Sequence, residues 1–338
     1  MARAGCHPSL RSVPGGSRVA AGEGREATGL FALAQRAWPF VLAAWFAWQS
    51  YLRISFFVAH DFPLGIDARI YYRGVTAWLA GDDPWAAAVL VHGSPFNYAG
   101  TPVTTVLMAP VALVSEDVFT ALWLGATWAA AFWTLQRLRL PIWWILFPPI
   151  TEALFSANPQ LVVLALLLVD HPIASAIATG LKVYAFIPLA GEKRWRQIAI
   201  AAAFSAVTIL IAPNLWIEYF QQFARISDRL ASQSIHGFSA FYFPALLAVA
   251  VVALVLLARR DPRAAGWLAV PAVWPSSQLH YTTMALPVMS SIMAFFLAVP
   301  ILRLPPLVIT LEICRRLVAA RIVRPDSPEA AAAPVPEP

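Results

Sequence analysis

Asp67, Tyr71, Gly74 and Trp78 are spaced i, i+4, i+7 and i+11, which places all four along one face of a helix. The stretch that carries them, His60 to Pro110, lies between an apolar run at 37–59 and another at 101–114. A carboxylate among aromatic rings at the edge of a bilayer suits chemistry on a lipid-linked substrate. There it could take the proton of an attacking hydroxyl. Asp67 also opens the helical stretch, so capping the first turn is its competing role. Asp61 directly follows the apolar run and reads either as a second candidate base or as a helix-end residue. Asp82 and Asp83 belong to a Gly81-Asp82-Asp83-Pro84 turn that stops the helix. Arg69 and Arg73 could meet headgroup phosphates or face water.

Two more polar residues stand in apolar surroundings. Lys182 lies inside the hydrophobic stretch 172–191. A lysine at the bilayer centre costs about 2.5–3.5 kcal/mol on insertion scales, so it marks a functional site unless it snorkels to an interface. Its ammonium could hold a phosphate as a point charge. His280 could hydrogen-bond a phosphate oxygen or a sugar hydroxyl, or be satisfied by a neighbour. Trp274, Gln278 and Tyr281 beside it suit a sugar-binding surface and equally an interfacial aromatic belt.

The elements that must position these residues are helices in a membrane. The chain is 59% hydrophobic and only 12% charged, too apolar for an ordinary soluble domain. With about 20 apolar residues needed per spanning helix, the expected architecture is all-α and polytopic, with roughly eight to ten spans, many short or broken. Candidate segments lie at 37–59, 101–115, 117–136, 141–157, 161–169, 172–191, 197–212, 241–258, 265–275 and 284–302, with a juxtamembrane helix at 67–80. Residues 1–30 read as a disordered cytoplasmic tail and 31–303 as the transmembrane domain. Within that domain, 60–100 is the first extracytoplasmic loop, and 304–338 holds an interfacial helix and a second tail.

The net charge of +6 does not point to nucleic acid, because the arginines gather at the ends of apolar segments. The positive-inside rule puts Arg36, the Lys193-Arg194-Trp195-Arg196 cluster, Arg259, Arg260 and Arg263 on the cytoplasmic side. Residues 60–100, 213–240 and 276–283 then face outward. Arg137 and Arg139 conflict with this if 101–115 and 117–136 both cross. Cys6 and Cys314 are too distant in sequence for a structural disulfide or metal site to be expected. Two lysines against twenty-two arginines suggest a GC-rich bacterial genome and hence a bacterial plasma membrane. No P-loop, G-x-G-x-x-G, H-E-x-x-H, C-x-x-C or G-x-S-x-G is present, which makes nucleotide-driven chemistry less expected.

An ordered set of short matches brings in a family. They are Asp67-x-x-x-Tyr71-Tyr72, Leu79-Ala80-Gly81-x-x-Pro84-Trp85, Phe96-x-Tyr98, Asn158-Pro159-Gln160, Gly180-Leu181-Lys182, Lys193-Arg194-Trp195-Arg196 and Trp274-Pro275-Ser276-Ser277-x-x-His280-Tyr281. Over residues 60 to 290 the chain resembles the GT-C polyprenol-phosphate-mannose-dependent α-mannosyltransferases of glycosyltransferase family 87. The resemblance implies a cavity open to the outer face, Asp67 as catalytic base, and Lys182 and His280 at the donor phosphate or reacting sugar. It also implies Tyr71, Tyr72, Tyr98, Gln160, Gln278 and Tyr281 around the substrate. Its partners would be a polyprenyl-phosphate sugar, a lipid or glycan acceptor and the membrane; a divalent metal could assist. The alternatives on the same residues are a non-catalytic accessory or scaffold protein and a polyprenol-lipid flippase.

Overall fold

The protein, seen in a computed structural model, is described over residues 23–233, 238–275 and 277–322. Most of both expected tails, and Ser276, lie outside these residues. The chain divides into two compact units, one up to Leu42 and one from Ala43 onward. The first holds only the start of a helix. Everything that bears on chemistry belongs to the second.

In order, the elements begin with α1 (Glu23–Ala59), α2 (Ile66–Leu79), β1 (Ala88–Val91), β2 (Ser94–Asn97), α3 (Pro102–Leu107), α4 (Glu116–Arg137) and α5 (Pro148–Ser156). They continue with α6 (Gln160–Val169), α7 (Pro172–Leu181), α8 (Phe186–Gly191), α9 (Trp195–Ile211) and α10 (Pro213–Gln233). Last come α11 (Pro244–Ala258), α12 (Pro262–Val273), a 3-10 segment (Leu279–Val288), α13 (Ser291–Leu297) and α14 (Leu304–Ile322). α1 starts inside the stretch expected to be a tail.

Proline explains why so many of these helices are short. Pro102, Pro148, Pro172, Pro213, Pro244 and Pro262 each begin a helix, where the missing N–H is no loss and φ is already helical. The residue before each is pushed out of helical geometry, so an apolar run ends there. Among the described residues only α1, over Ala32–Ala59, and α4 are long and apolar enough to cross a membrane. The number rises to four if each of two bent pairs is one span: α5 with α6, bent by 110°, and α9 with the first part of α10, bent by 102°. Continuous helices therefore do not reach the expected eight to ten spans. The segment 101–115 is six-residue α3 followed by a 3-10 turn around Pro110. The segment 284–302 is the end of the 3-10 segment, which contains Pro287, and then the seven-residue α13.

The loop after α1 is more ordered than its composition implies. Its strands pair antiparallel with Val91 opposite Ser94. His92 and Gly93 between them have φ of 49° and 78°, the positive values that a two-residue primed hairpin turn requires. α10 closes over this region. Arg225 pairs with Asp83 at 2.6 Å and Arg229 donates to the Trp85 carbonyl at 2.6 Å, so the loops 60–100 and 213–233 meet. At the other end the basic clusters meet instead. Glu192 takes both Arg194 and Arg263, and Arg260 donates to the Leu317 carbonyl at 3.0 Å. α8 and α12 come together there at two glycines; a Cβ on Gly191 would lie 2.8 Å from the Gly266 Cα. α4, α9 and α11 turn large apolar side chains outward, Leu122, Leu210 and Val252 among them, as a lipid-facing surface does.

Candidate active site

Asp67 owes its freedom to the way α2 begins. The N-cap is Gly65 in the left-handed region (φ 74°), with no side-chain cap. Gly65 donates its N–H to the Phe155 carbonyl at 2.9 Å and packs so closely that a Cβ would lie 2.6 Å from Thr120. The first turn is thus anchored by backbone and the Asp67 carboxylate is not spent on capping. Its Oδ2 accepts from Asn158 Nδ2 at 2.8 Å. Asn158 sits in the elbow between α5 and α6, after Ala157 in left-handed geometry (φ 53°). Its Oδ1 accepts from the Gln160 N–H at 2.9 Å, so the other end of the amide is directed at Asp67.

Lys182 reaches the same place from α7, which ends at Leu181 and leaves Lys182 extended (φ −147°, ψ 111°). Thr104 of α3 holds the Gly180 carbonyl at 2.7 Å. The Lys182 Nζ lies 5.7 Å from the ring centres of both Tyr71 and Tyr281. It is within electrostatic reach of Tyr71 and Asp67, yet its ammonium and the Asp67 carboxylate are further apart than ion-pair contact. Both side chains are partly exposed, whereas the tyrosines around them are buried. Tyr98 stands edge-on to Tyr71 at 5.5 Å and shares a hydrogen bond with Thr105 at 3.0 Å. Gly74 and Gly100 make room for it; a Cβ on either would overlap its ring or hydroxyl. Tyr184 donates to Gln160 Oε1, packs against Tyr281 with ring centres 5.2 Å apart, and stands edge-on to Trp274 at 5.4 Å. The Gln160 Nε2 is buried without a partner.

His280 is buried next to Tyr281, with ring centres 5.0 Å apart. Its Nδ1 meets Glu152 Oε1 at 3.0 Å, and Glu152 Oε2 accepts from Arg53 Nε at 2.6 Å. Its Nε2 has no partner. A buried carboxylate shared by two such groups sets which imidazole nitrogen is left for a ligand.

The structure therefore brings together Asp67, Tyr71, Tyr98, Gln160, Lys182, His280 and Tyr281. It does not bring in Tyr72, which donates to the Val114 carbonyl at 3.0 Å and packs near Phe119 of α4. One residue past Tyr71 on a helix is a turn of about 100°, so the two cannot share a face. Gln278 precedes the 3-10 segment, partly exposed, and its side chain caps nothing. Asp61 pairs with His92 at 2.9 Å on the surface. Arg69 and Arg73 both hold Glu116 at 3.0 Å and so face protein. Four contributors were not assigned from sequence: Asn158, Tyr184, Glu152 and Arg53. An acid and a cation inside apolar runs were the available signal for the last two. Among the described residues no three His, Cys, Asp or Glu side chains gather in metal-binding fashion.

One groove of about 530 Å3 runs along α1 by Leu146, and another of about 370 Å3 lies between Asp170 and Gln197. Neither borders Asp67 or Lys182.

The sequence model of glycosyltransferase family 87 matches residues 98–300, more than half of the chain. The chain belongs to glycosyltransferase family 87. As a family 87 member it is a membrane glycosyltransferase. No curated protein and no solved structure matches it. The family match takes in Tyr98, Gln160, Lys182, His280 and Tyr281, while Asp67 and Tyr71 precede it.

Proposed function

We propose that this protein moves a sugar, mannose in the first instance, from a polyprenyl-phosphate donor to a hydroxyl of a lipid or glycan at the outer face of a bacterial plasma membrane. The observation that carries the reading is a carboxylate and an ammonium facing one another, without touching, inside a shell of tyrosines. Asp67 takes the proton of the acceptor hydroxyl as that oxygen bonds the anomeric carbon. The bond from that carbon to the phosphate oxygen breaks on the opposite face, so the configuration inverts and polyprenyl phosphate leaves. Lys182 meets the negative charge that grows on the leaving phosphate. Fixed charges in a water-poor site act more strongly than in solvent. Asn158 keeps Asp67 aimed, and Glu152 with Arg53 keeps His280 aimed so that its free Nε2 can meet the phosphate or a sugar hydroxyl. Gln160 offers a second unused donor. In the gap between Asp67 and Lys182 the tyrosine rings would have to part for the substrate.

Orientation follows from the charges. The basic ends of α8, α9, α11 and α12 take the cytoplasmic side, and the loops that join through Arg225 and Asp83 take the outer one. With α3 too short to cross, α4 carries the chain inward and delivers Arg137 and Arg139 to the basic side, removing the conflict they posed.

The test is transfer by purified protein supplied with radiolabelled polyprenyl-phosphate mannose and a lipid extract from a deletion strain. Wild-type protein is expected to label an acceptor one sugar short in that extract. Asp67→Asn is expected to lose about 100-fold or more, the scale of a positioned base. Undiminished transfer by that variant would remove Asp67 from the chemistry.

A further inference from the structure

The Lys193-Arg194-Trp195-Arg196 segment has no part in this transfer. α7 separates it from Lys182: the helix starts beside the segment at Pro172 and ends at Leu181, ten residues or about 15 Å away at 1.5 Å per residue. The segment, with Asp170, Pro172 and Gln197, lines the groove of about 370 Å3.

Its cations are of two kinds. Arg194 is committed to the protein: it pairs with Glu192, reaches Asp170 Oδ1 at 3.3 Å and donates to the Leu167 carbonyl at 2.8 Å. Gln197 uses Asp170 Oδ1 at 2.7 Å and accepts from Ser175 at 2.6 Å. The one carboxylate in the groove is therefore already engaged from inside. Lys193 and Arg196 are exposed, and their side chains enter none of the hydrogen bonds or ion pairs found among the described residues. Lys193 is turned outward by a left-handed backbone (φ 57°), between Glu192 and Arg194, which are tied down. Between the two free cations Trp195 stands 63% exposed. α9, which starts there, continues with outward Val207, Leu210 and Ile211.

We infer that this groove binds the phosphate of an anionic phospholipid, with Lys193 and Arg196 on the phosphate oxygens and the Trp195 ring at headgroup depth. Paired free cations match a phosphate group, whether it is the diester of a lipid or free phosphate. The exposed indole and the apolar flank of α9 favour the lipid, since tryptophan settles at the headgroup level and basic residues beside a spanning segment attract anionic lipid.

Binding is read without reference to transfer. Purified protein in detergent is titrated with phosphatidylglycerol, phosphatidylcholine or inorganic phosphate, and bound lipid is counted by native mass spectrometry. Wild-type protein is expected to retain phosphatidylglycerol at least tenfold better than phosphatidylcholine. Lys193→Gln with Arg196→Gln is expected to abolish that preference, and Arg137→Gln with Arg139→Gln, also exposed, to keep it. Since neither Lys193 nor Arg196 bonds within the protein, the first pair should fold normally; Arg196→Gln alone gives the same reading at smaller amplitude. Equal loss in both pairs would reduce the effect to general charge and overturn the site. Displacement of the lipid by an equal concentration of inorganic phosphate would overturn the lipid as occupant.

Discussion

Lys182 and Lys193 are the only lysines in the chain, and they stand near opposite ends of α7 in contrasting surroundings. Lys182 lies between two tyrosine rings, 5.7 Å from the centre of each, and within electrostatic reach of Asp67. Lys193 projects into the open beside two arginines. The ammonium is the same; the surroundings differ. Exposed charges are screened over about 8–10 Å at ordinary ionic strength, so Lys193 can attract a ligand but cannot steer a bond-breaking step. Between two rings, the same group acts at short range in a lower dielectric, which is what the proposed transfer asks of Lys182. Function in this fold is set less by which cation is present than by what is packed around it.

Substitution at the enclosed lysine tests that contrast most severely. Lys182→Met is expected to lower kcat by about 100- to 1,000-fold, as for the loss of one charge-stabilising group. Lys182→Arg should recover little, because a planar guanidinium does not reproduce a compact ammonium between two rings. The same Met change at Lys193 should leave transfer within about twofold, the usual range for an exposed position. Arginine working at full rate at position 182 would erase the distinction between the two lysines. Next in size is Glu152→Ala, which leaves Arg53 unpaired in the interior. Breaking a buried pair costs about 3–5 kcal/mol, read as a large drop in thermal unfolding temperature in detergent. Gly74→Ala is expected to be milder, at about 1–3 kcal/mol for overpacking, since a Cβ there must displace Tyr98. If its unfolding temperature stayed at the wild-type value, the tyrosine shell would be looser than its packing implies.

The parts of the site legible in sequence were those with local signals. The helical spacing from Asp67 to Trp78 marks one face of α2, and Lys182 declares itself by standing in an apolar stretch. Capping, the role that competes with base for Asp67, is taken by Gly65. Arg53, Glu152 and His280 come from three distant segments, 99 and 128 residues apart, and no periodicity links them. Tyr72 entered with the family match Asp67-x-x-x-Tyr71-Tyr72, although helical geometry turns it away from Tyr71. Hydropathy sums over apolar residues without registering that a proline restarts the helix, so many of the expected segments are short or bent helices rather than continuous ones. The hairpin has a weak sequence signal, because only its first strand, Ala88–Val91, is apolar throughout, whereas Ser94–Asn97 mixes polar residues with Pro95 and Phe96.

The contact between Arg53 and Glu152 also bears on how the protein is made. A chain that emerges from its N-terminus presents a guanidinium, six residues before the end of its first apolar helix and 99 residues before the carboxylate that neutralises it. At about 5–20 residues per second, translation takes roughly 5–20 s to supply the missing acid, and His280 follows after a further 128 residues. During that interval the first helix carries an unneutralised charge that lipid disfavours. Its final seat in the bilayer is thus a late event of biogenesis, reached only once the middle of the chain has arrived.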